Sequence, residues 1–276
     1  MIVDGKKIAE EIKRELQKKI STMSYIPTLA IVIVGDNYSS KQFINLKKCF
    51  AKEIGISTQL MCLPEKNTNT KTLINLLKKL NTNNDISGIV IQLPLPSHLD
   101  TLAILNSISI NKDVDLLGSF ASEKFNKGDS QILPPVIGAF EKILKHEDVE
   151  IKNKKVVIVG KGSLVGKPSA VWFSQMGAGV RVVDRSIEDI SVFTREADIL
   201  VLGAGSPSLI TPDMIKKNVV ILDAGTSEVS GKLLGDADIA CASKCSVFAP
   251  TPGGVGPITV AMIFKNLLTL YNSTIN

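Results

Sequence analysis

Apolar residues follow two alternating patterns along the chain, one typical of helices and one typical of buried strands. Residues 5–20 repeat apolar positions at the spacing of an amphipathic helix, at Ile8, Ile12, Leu16 and Ile20. The next apolar run, TLAIVIVG (28–35), is continuous and ends in glycine, as in a strand that is covered on both faces. This alternation predicts a parallel α/β sheet.

The first half of the chain continues the alternation. Helices are predicted over 39–55, over TKTLINLLKKLN (70–81) and over 99–107. Strands are predicted at STQLMCLP (57–64) and SGIVIQLPLP (87–96). The loop NKDVDLLG (111–118) follows them.

A second alternation begins with a helix over 133–146 and fills the rest of the chain. Strands are predicted at KKVVIVG (154–160), GVRVVD (179–184), DILVLGAG (198–205) and NVVILDAG (218–225). Helices are predicted at VGKPSAVWFSQMG (165–177) and IEDISVFTREA (187–197). Near the end, APTPGGVGPITVAMIFKNLLTLY (249–271) reads as a glycine-rich turn that leads into a long apolar helix. With 276 residues, the chain has room for two α/β domains.

Composition favours a soluble enzyme or binding protein. No apolar run approaches the ~20 residues that a membrane-spanning helix needs. The amino terminus, MIVDGKKIAEEIKREL, is charged within six residues and lacks the apolar core of a secretory signal, so we expect a cytoplasmic location and no membrane partner. The net charge of +5 is modest, the lysines are spread over amphipathic helices, and aromatic residues make up 5%, so nucleic acid is not an expected partner.

Cysteine and histidine are too few, and too poorly spaced, to suggest a metal site. Cys241 and Cys245 form a C-x3-C pair, but His98 and His146 are the two histidines of the chain. We therefore expect no metal and four reduced thiols. The scarcity of histidine also disfavours catalysis by a histidine acid or base.

The stretch VVIVGKGSLVGKP (156–168) places glycines between a predicted strand and a predicted helix. Glycine permits a tight turn and a close approach of the backbone to a pyrophosphate, and a helix amino terminus favours anions. The two later strands also end in small residues, which suits a dinucleotide lying across the carboxyl edge of the sheet. The alternative is a tight turn that binds nothing. The predicted cofactor-binding residues are Gly160, Lys161, Gly162, Ser163, Val165, Gly166, Asp184, Arg185, Ala204, Gly205, Gly225 and Thr226.

The sequence contains opposed signals for NAD and for NADP. Asp184 ends the second strand of this half, where an acid binds the ribose 2′-hydroxyl and repels a 2′-phosphate, which favours NAD. Arg185 and Lys161 are cations that suit a 2′-phosphate, which favours NADP.

Four further stretches, taken together with the glycine loop, resemble one family. They are VGDNYSSKQFINLKKCF (34–50), IVIQLPLP (89–96), NKDVDLLG (111–118) and PTPGGVGPITVAM (250–262). In this order, and nearly from end to end, they are similar to the methylenetetrahydrofolate dehydrogenase/methenyltetrahydrofolate cyclohydrolase family. That family oxidises 5,10-methylenetetrahydrofolate with NAD(P)+ and hydrolyses the methenyl product to 10-formyltetrahydrofolate, a reaction of one-carbon metabolism that supplies purine biosynthesis.

The resemblance implies an architecture and an assembly. An N-terminal α/β catalytic domain, residues 1–118, would bind tetrahydrofolate derivatives, and a Rossmann-like domain, residues 119–255, would bind NADP by family habit. The two would be separated by a cleft, and the C-terminal helix, residues 256–276, would pack back on the catalytic domain. The family is typically homodimeric.

The resemblance also implies roles for individual residues. Lys47 would polarise or protonate the one-carbon bridge and help water to attack it, and Gln92 would orient Lys47. Asp115 would bind the pterin ring, on which Phe43 would stack. The glycine-rich turn and the start of the last helix would add substrate-binding residues, namely Gly254, Pro257 and Thr259.

Each of these residues also has an ordinary structural reading. Most lysines on helices are solvated, and the position of Lys47 suits such an ordinary lysine. Gln92 suits a solvent-facing strand end, and Asp113 suits a loop cap. The PGGVGP segment suits a strained turn before a helix.

Four departures from the family pattern bear on function. Phe43 replaces a tyrosine four residues before the lysine, which keeps the stacking surface and removes a hydroxyl. PPVI (134–137) replaces P-C-T-P, GKG (160–162) replaces G-R-S, and VDR (183–185) replaces C-H-S. The first departure makes a dehydrogenase with weak or absent cyclohydrolase activity the main alternative. A non-catalytic folate- or dinucleotide-binding protein is the alternative of another class.

Overall fold

The computed structural model describes residues 1–36 and 38–275, together with the side chains of all of these except 38–41 and 275. The chain divides into two compact units. One consists of Met1–Glu10 and Val136–Thr259, and the other of Glu11–Pro135 and Val260–Asn276. Each unit is built on its own parallel sheet with helices, which confirms the predicted two-domain α/β fold. The domain boundaries expected at residues 118 and 255 stay a prediction.

The unit around Glu11–Pro135, called here the Lys47 unit, contains a three-stranded parallel sheet. Its strands are β1 (Thr28–Val34), β2 (Ser57–Leu63) and β3 (Gly88–Ile91), in the order β2-β1-β3. β1 is buried from Leu29 to Val34 because it lies in the middle of the sheet. β2 is an edge strand and alternates between exposed and half-buried positions.

Most helices of this part of the chain have the amphipathic spacing that predicted them, and the helix at Ser119–Lys127 is the exception. They are α1 (Gly5–Ile20), α2 (Tyr38–Ile54), α3 (Thr70–Thr82), α4 (Thr101–Leu105) and α5 (Ser119–Lys127), with a 3-10 helix at Glu65–Asn67. The four apolar positions predicted to share one face of α1 are all buried. On α3, the buried positions Leu73, Leu77 and Leu80 follow the same helical spacing.

The other unit, called here the glycine-loop unit, contains a five-stranded parallel sheet and a small hairpin. Its helices are α6 (Pro135–His146), α7 (Gly166–Gln175) and α8 (Ser191–Thr194), with 3-10 helices at Pro212–Met214 and Ile239–Ser243. The sheet strands are β4 (Lys155–Val159), β5 (Gly179–Val183), β6 (Ile199–Leu202), β7 (Val219–Asp223) and β10 (Cys245–Ala249), and β8 (Ser227–Val229) pairs antiparallel with β9 (Lys232–Leu234).

The order of the five strands is β10-β7-β6-β4-β5, so the direction of winding reverses between β4 and β6. In doubly wound sheets, ligands bind at the carboxyl ends of the strands on either side of such a reversal. The loops that follow β4 and β6 are the segments 160–166 and 203–206. The topology therefore puts the predicted glycine loop at the place where a nucleotide is expected.

The last helix, α9 (Val255–Ile275), supplies apolar surface to the Lys47 unit through its second part. The ring of Phe264 stacks on Phe50 of α2 at a centroid distance of 5.3 Å. A Cβ on Gly88 of β3 would lie only 2.6 Å from the side chain of Leu267. This close packing explains why glycine begins β3. Within the described residues, no helix is both long enough and apolar enough to cross a membrane.

Three sequence predictions differ from the structure. The helix predicted over 187–197 forms only the single turn α8, which begins where the Asp189 carboxylate accepts a hydrogen bond from the Ser191 amide. Helix α5, which begins after Gly118 and ends at Gly128 with φ +79°, was not predicted because its apolar positions are sparse. Strand β10 and the β8–β9 hairpin were also missed, because β8 and β9 have only three residues each and β10, CSVFA, contains just two large apolar residues.

Candidate functional site

Lys47 and Gln92 meet through a direct hydrogen bond in the Lys47 unit. Lys47 lies on α2, the helix that follows the central strand β1, and Gln92 comes immediately after β3. The Gln92 amide donates its backbone N–H to Val32, so the chain is still paired with β1 at this point. The ammonium group of Lys47 donates to Oε1 of Gln92 at 2.7 Å. Sequence analysis predicted this pair, and neither residue has the solvated position of the ordinary structural reading, because each is only 8% exposed.

The orientation of Gln92 is fixed by its own backbone. Its Nε2 atom donates to the carbonyl of Leu93 at 2.8 Å, which directs Oε1 towards Lys47. A buried amide that satisfies both ends in this way is held in one rotamer. The acceptor for the lysine is therefore in place before any substrate binds.

Electrostatics couple Lys47 to Asp115. Burial lowers the pKa of Lys47, and the nearby carboxylate of Asp115 partly opposes this effect. The pKa of Asp115 is raised to about 6, chiefly by burial; the charge of Lys47 opposes this rise and that of Asp113 adds to it. Both groups therefore titrate closer to neutral pH than they would in water, as is common for acids and bases that transfer protons.

Asp113, two residues earlier, is a loop cap, as its structural reading suggested. Its buried carboxylate accepts the backbone N–H groups of Leu117 at 3.3 Å and Gly118 at 2.9 Å. Leu116 lies between Asp115 and the two N–H groups that Asp113 accepts, and it has φ +53°, which is strained for a leucine. The loop is thus locked by Asp113, while Asp115 remains available.

Asn266 is a supporting residue that sequence reasoning missed. It is 2% exposed on α9 and donates both Nδ2 hydrogens, to the carbonyl of Val114 at 2.9 Å and to that of Leu133 at 2.8 Å. Val114 is the residue before Asp115. The available signal was a single amide within an otherwise apolar helix, which must find partners when it is buried.

Phe43 lies one turn before Lys47 on α2 and is half-buried. Residues four apart on a helix share a face, so its ring lies on the Lys47 side of α2. Lys48, the next residue along, is exposed. The side chain of Tyr38, the nearest tyrosine before Phe43, lies outside the described residues.

In the glycine-loop unit, two glycines are required by close backbone packing. Gly160 has φ +108°, and a Cβ there would lie 2.5 Å from the carbonyl oxygen of Gly203, in the loop after β6. A Cβ on Gly166, at the start of α7, would collide with the carbonyl oxygen of Gly160. Gly162 has open space around it instead. The glycines thus bring the loops after β4 and β6 into contact.

The same loop offers backbone donors. Ser163 and Leu164 are exposed, Val165 is half-buried, and their N–H groups have no hydrogen-bond partner within the described parts of the chain. They immediately precede α7, a helix of ten residues. Free N–H groups at such a terminus suit a phosphate. This loop fits the dinucleotide predicted for it.

Asp184, at the end of β5, is engaged by its neighbours. Its Oδ2 atom pairs with the ammonium group of Lys161 at 2.5 Å, and its Oδ1 atom accepts both the hydroxyl and the amide of Ser186. The hydrogen bond from Lys161, followed by those from Ser186, lowers the pKa of Asp184. Arg185 is exposed and has no ion-pair partner among the described residues. The two opposed predictors of cofactor choice, Lys161 and Asp184, are therefore paired with one another.

The remaining predicted cofactor residues lie at the ends of β6 and β7. Ala204, Gly205 and Thr226 are exposed and Gly225 is buried. The N–H groups of Ala204 and Gly205 bind the carboxylate of Asp236, at 2.7 and 3.1 Å, so they are already satisfied. Asp236 was absent from the sequence predictions.

The predicted substrate residues of the PGGVGP segment lie in the glycine-loop unit. Gly253 has φ +102°, and its carbonyl accepts the N–H of Gly5 at 3.0 Å. A Cβ on Gly254 would approach the Pro250 carbonyl oxygen to 2.6 Å, so backbone contacts alone explain this glycine. Pro257 and Thr259 are half-buried in the first turns of α9. In residues 1–36 and 38–275, no group of three or more His, Cys, Asp or Glu side chains is arranged to hold a metal ion.

Comparison with known families agrees with both halves of this picture. The family model described as tetrahydrofolate dehydrogenase/cyclohydrolase, catalytic domain, matches residues 3–115. The model described as tetrahydrofolate dehydrogenase/cyclohydrolase, NAD(P)-binding domain, matches residues 134–275. The chain belongs to the tetrahydrofolate dehydrogenase/cyclohydrolase family.

Relatives within this family match over nearly their whole length. The bifunctional protein FolD of Halothermothrix orenii is 40% identical over 273 residues, which cover 96% of this chain and 95% of the relative. The crystal structure of the bifunctional FolD of Campylobacter jejuni is 33% identical, with a TM-score of 0.94 and 99% of each chain covered. The Trypanosoma brucei FolD, solved with an NADP cofactor and an inhibitor, is 31% identical, with a TM-score of 0.95 and coverage of 100% of this chain and 98% of that one.

Proposed function

We propose that this protein oxidises 5,10-methylenetetrahydrofolate to the methenyl form with NAD(P)+ and then hydrolyses the product to 10-formyltetrahydrofolate. Membership of the family supports the pair of reactions. The observation that carries the proposal is the Lys47–Gln92 hydrogen bond beside Asp115. Burying an amine costs free energy, so folding alone does not account for a buried lysine with an acceptor already in place.

Lys47 acts in the hydrolytic step. Its lowered pKa brings the amine nearer to neutral pH, where it can accept a proton from the attacking water and return one to the departing folate nitrogen. Gln92 holds the amine towards the one-carbon bridge. A buried lysine without such an acceptor would leave donors unsatisfied, which costs about 1–3 kcal/mol for each group.

Asp115 binds and orients the pterin. An ionised carboxylate can accept two parallel hydrogen bonds from the N–H groups of an aminopyrimidinone edge. The pKa of about 6 leaves it mostly ionised at neutral pH. Phe43 supplies an aromatic surface for the ring.

The loop at residues 160–166 holds the dinucleotide. The free N–H groups before α7 bind the pyrophosphate, and Gly160 allows its close approach. When bound, the nicotinamide supplies the acceptor for the hydride that leaves the folate methylene carbon. The Trypanosoma brucei relative binds NADP, which favours NADP, whereas Asp184 favours NAD. We propose that the enzyme uses NAD(P)+, with NADP+ ahead on the family precedent, and that the Lys161–Asp184 pair controls the preference.

A dehydrogenase with weak hydrolysis is a second candidate, favoured specifically by Phe43, which lacks the hydroxyl of a tyrosine. The proposed assembly, a cytoplasmic homodimer, and the proposed role in purine biosynthesis follow from the family alone. Size-exclusion chromatography with light scattering tests the dimer.

One assay tests the proposal and separates it from this second candidate. Methylenetetrahydrofolate is supplied with NAD+ or NADP+, and the absorbance of the methenyl intermediate is followed as it forms and decays. Formation followed by decay above the uncatalysed rate is expected. Accumulation without faster decay supports the dehydrogenase, and no formation with either nucleotide overturns the proposal.

A further inference from the structure

Asp236 makes three hydrogen bonds to one short loop. Its carboxylate accepts the N–H groups of Ala204 at 2.7 Å, Gly205 at 3.1 Å and Ser206 at 2.7 Å, which are consecutive residues after β6. Oδ2 serves the first two and Oδ1 serves the third, so both oxygens are used. The side chain is fully buried.

A second buried carboxylate holds Asp236 in turn. Asp223, the last residue of β7, accepts the N–H groups of Gly225 at 3.0 Å, Asp236 at 3.2 Å and Ala237 at 3.0 Å. The pKa of Asp223 is raised to about 6, chiefly by burial and in part by the charge of Asp236, while the backbone hydrogen bonds that it accepts oppose the rise. The two acids therefore tie the ends of β6 and β7 to the segment 235–237.

Two glycines are shaped by these carboxylates. A Cβ on Gly225 would overlap the carboxylate of Asp236, and a Cβ on Gly235 would overlap that of Asp223. Asp236 has no cationic partner among the described residues, so backbone N–H groups alone stabilise its charge. Burying a charged carboxylate costs free energy, and a buried polar network whose hydrogen bonds are all satisfied makes the backbone around it rigid.

We propose that Asp236 is a positioning residue for the nicotinamide cofactor, an inference that rests on the proposed function. The loop 204–206 lies after β6, on one side of the reversal in strand order, and the glycine loop lies on the other. By taking all three N–H groups of the β6 loop, Asp236 fixes that loop's shape and leaves phosphate binding to the N–H groups before α7. Ala204 and Gly205 then present a fixed, uncharged surface to the dinucleotide.

The substitution Asp236→Asn tests this role, because it keeps the shape while one oxygen becomes an NH2 group that faces N–H donors. We expect the KM for NAD(P)+ to rise about tenfold or more while the KM for the folate substrate changes less than twofold. The matched control is Asp198→Asn at the opposite end of β6, where Asp198 accepts the Lys155 amide and the Lys216 ammonium group. The control should lower Tm without changing either KM.

Two outcomes would overturn the inference. One is an Asp236→Asn enzyme that loses thermal stability as the control does but keeps the wild-type KM for the cofactor. The other needs no variant: in the ligand-free wild type, the amide hydrogens of 204–206 should exchange slowly with deuterated solvent, and fast exchange contradicts the hydrogen bonds to Asp236. Failure of the wild type to bind NAD+ or NADP+ by calorimetry would instead overturn the proposed function.

Discussion

The ammonium group of Lys47 lies 2.7 Å from Oε1 of Gln92, although the two residues are 45 positions apart in the chain. The parallel arrangement of β1 and β3 produces this contact, because the helix that follows β1 and the residue that follows β3 emerge at the same edge of the sheet. The Lys47 unit thus builds the centre of its site from the helix that follows one strand and the residue that follows the neighbouring strand.

Replacing Lys47 with methionine should remove hydrolysis before it removes oxidation. Methionine fills a similar volume without the amine, so the fold should survive, while general acid–base catalysis is worth about 10²–10⁴-fold. We expect the decay of the methenyl intermediate to slow at least about 100-fold, with a smaller effect on its formation. The matched control is Lys48→Met, since Lys48 is exposed on the same helix. Full cyclohydrolase turnover in the Lys47 variant would show that its assigned role is wrong.

Asp115 should make folate binding and protein stability depend on pH in opposite directions. Its pKa is about 6 in the folded protein against 3.8 in the unfolded chain, so the folded state holds the extra proton between these values. Stability from this residue is therefore greatest at low pH and is lost as pH rises through about 4 to 6. Folate affinity should instead increase as pH rises through about 6, because the ionised carboxylate is the better acceptor.

The variant Asp115→Asn isolates both effects. Relative to wild type, it should flatten the dependence of the folate KM on pH between 5 and 8. Its free energy of unfolding in urea, minus that of wild type, should be larger at pH 7 than at pH 4. Asp223, whose pKa is also raised to about 6, stays intact in both proteins and so cancels in the comparison. A wild-type folate KM that is constant across this range would contradict the role of Asp115.

The sequence predicted the elements that carry strong periodicity and the residues that interrupt it. Gln92 could be predicted as a site residue because it interrupts an apolar strand, and Gly160 because it ends another apolar strand before a helix. The sequence of α2 alone did not predict the burial of Lys47, since positions 47 and 48 are both lysine and only the family pattern distinguishes them. Whether one helix residue is buried depends on the elements that pack against it, and apolar periodicity predicts only which face of the helix is buried on average.

The supporting residues were harder to predict because their partners are distant in the chain. Asn266 binds a carbonyl at position 114, and Asp236 binds amides at 204–206. Each bond joins a side chain to a backbone group, so no complementary residue type marks the partner in the sequence. The short strands β8 and β9 were missed for a related reason, because pairing with a neighbouring strand, rather than their own residues, stabilises them.

Phe43 leads to a test of how the two activities are balanced. The variant Phe43→Tyr adds one hydroxyl on the face of α2 that carries Lys47, without removing the aromatic surface. We expect the rate of hydrolysis to rise about 2–10-fold relative to oxidation, because a hydroxyl beside the amine adds a proton relay. The ratio of the two rates, read in one absorbance trace, is the measurement. An unchanged ratio would show that the relay does not need this hydroxyl.

Cofactor preference should be controlled by the Lys161–Asp184 pair. Replacing Asp184 with serine removes the carboxylate that repels a 2′-phosphate and releases Lys161, while Arg185, the next residue in the chain, is already exposed. Since a charge-assisted hydrogen bond contributes about 1.5–3 kcal/mol, the ratio of kcat/KM for NADP+ to that for NAD+ should rise about tenfold or more. Initial rates with each nucleotide measure this ratio.

The double variant Lys161→Met/Asp184→Ser decides which partner acts. If Lys161 is the group that binds the phosphate, the double variant loses most of the gain in NADP+ use shown by Asp184→Ser alone. If it keeps the gain, Arg185 is the cation that binds the phosphate, and the ion pair with Lys161 serves only to neutralise Asp184. The proposed site would be wrong if neither variant changed the preference. If Asp184 borders the ribose, its removal must change the charge next to a 2′-phosphate.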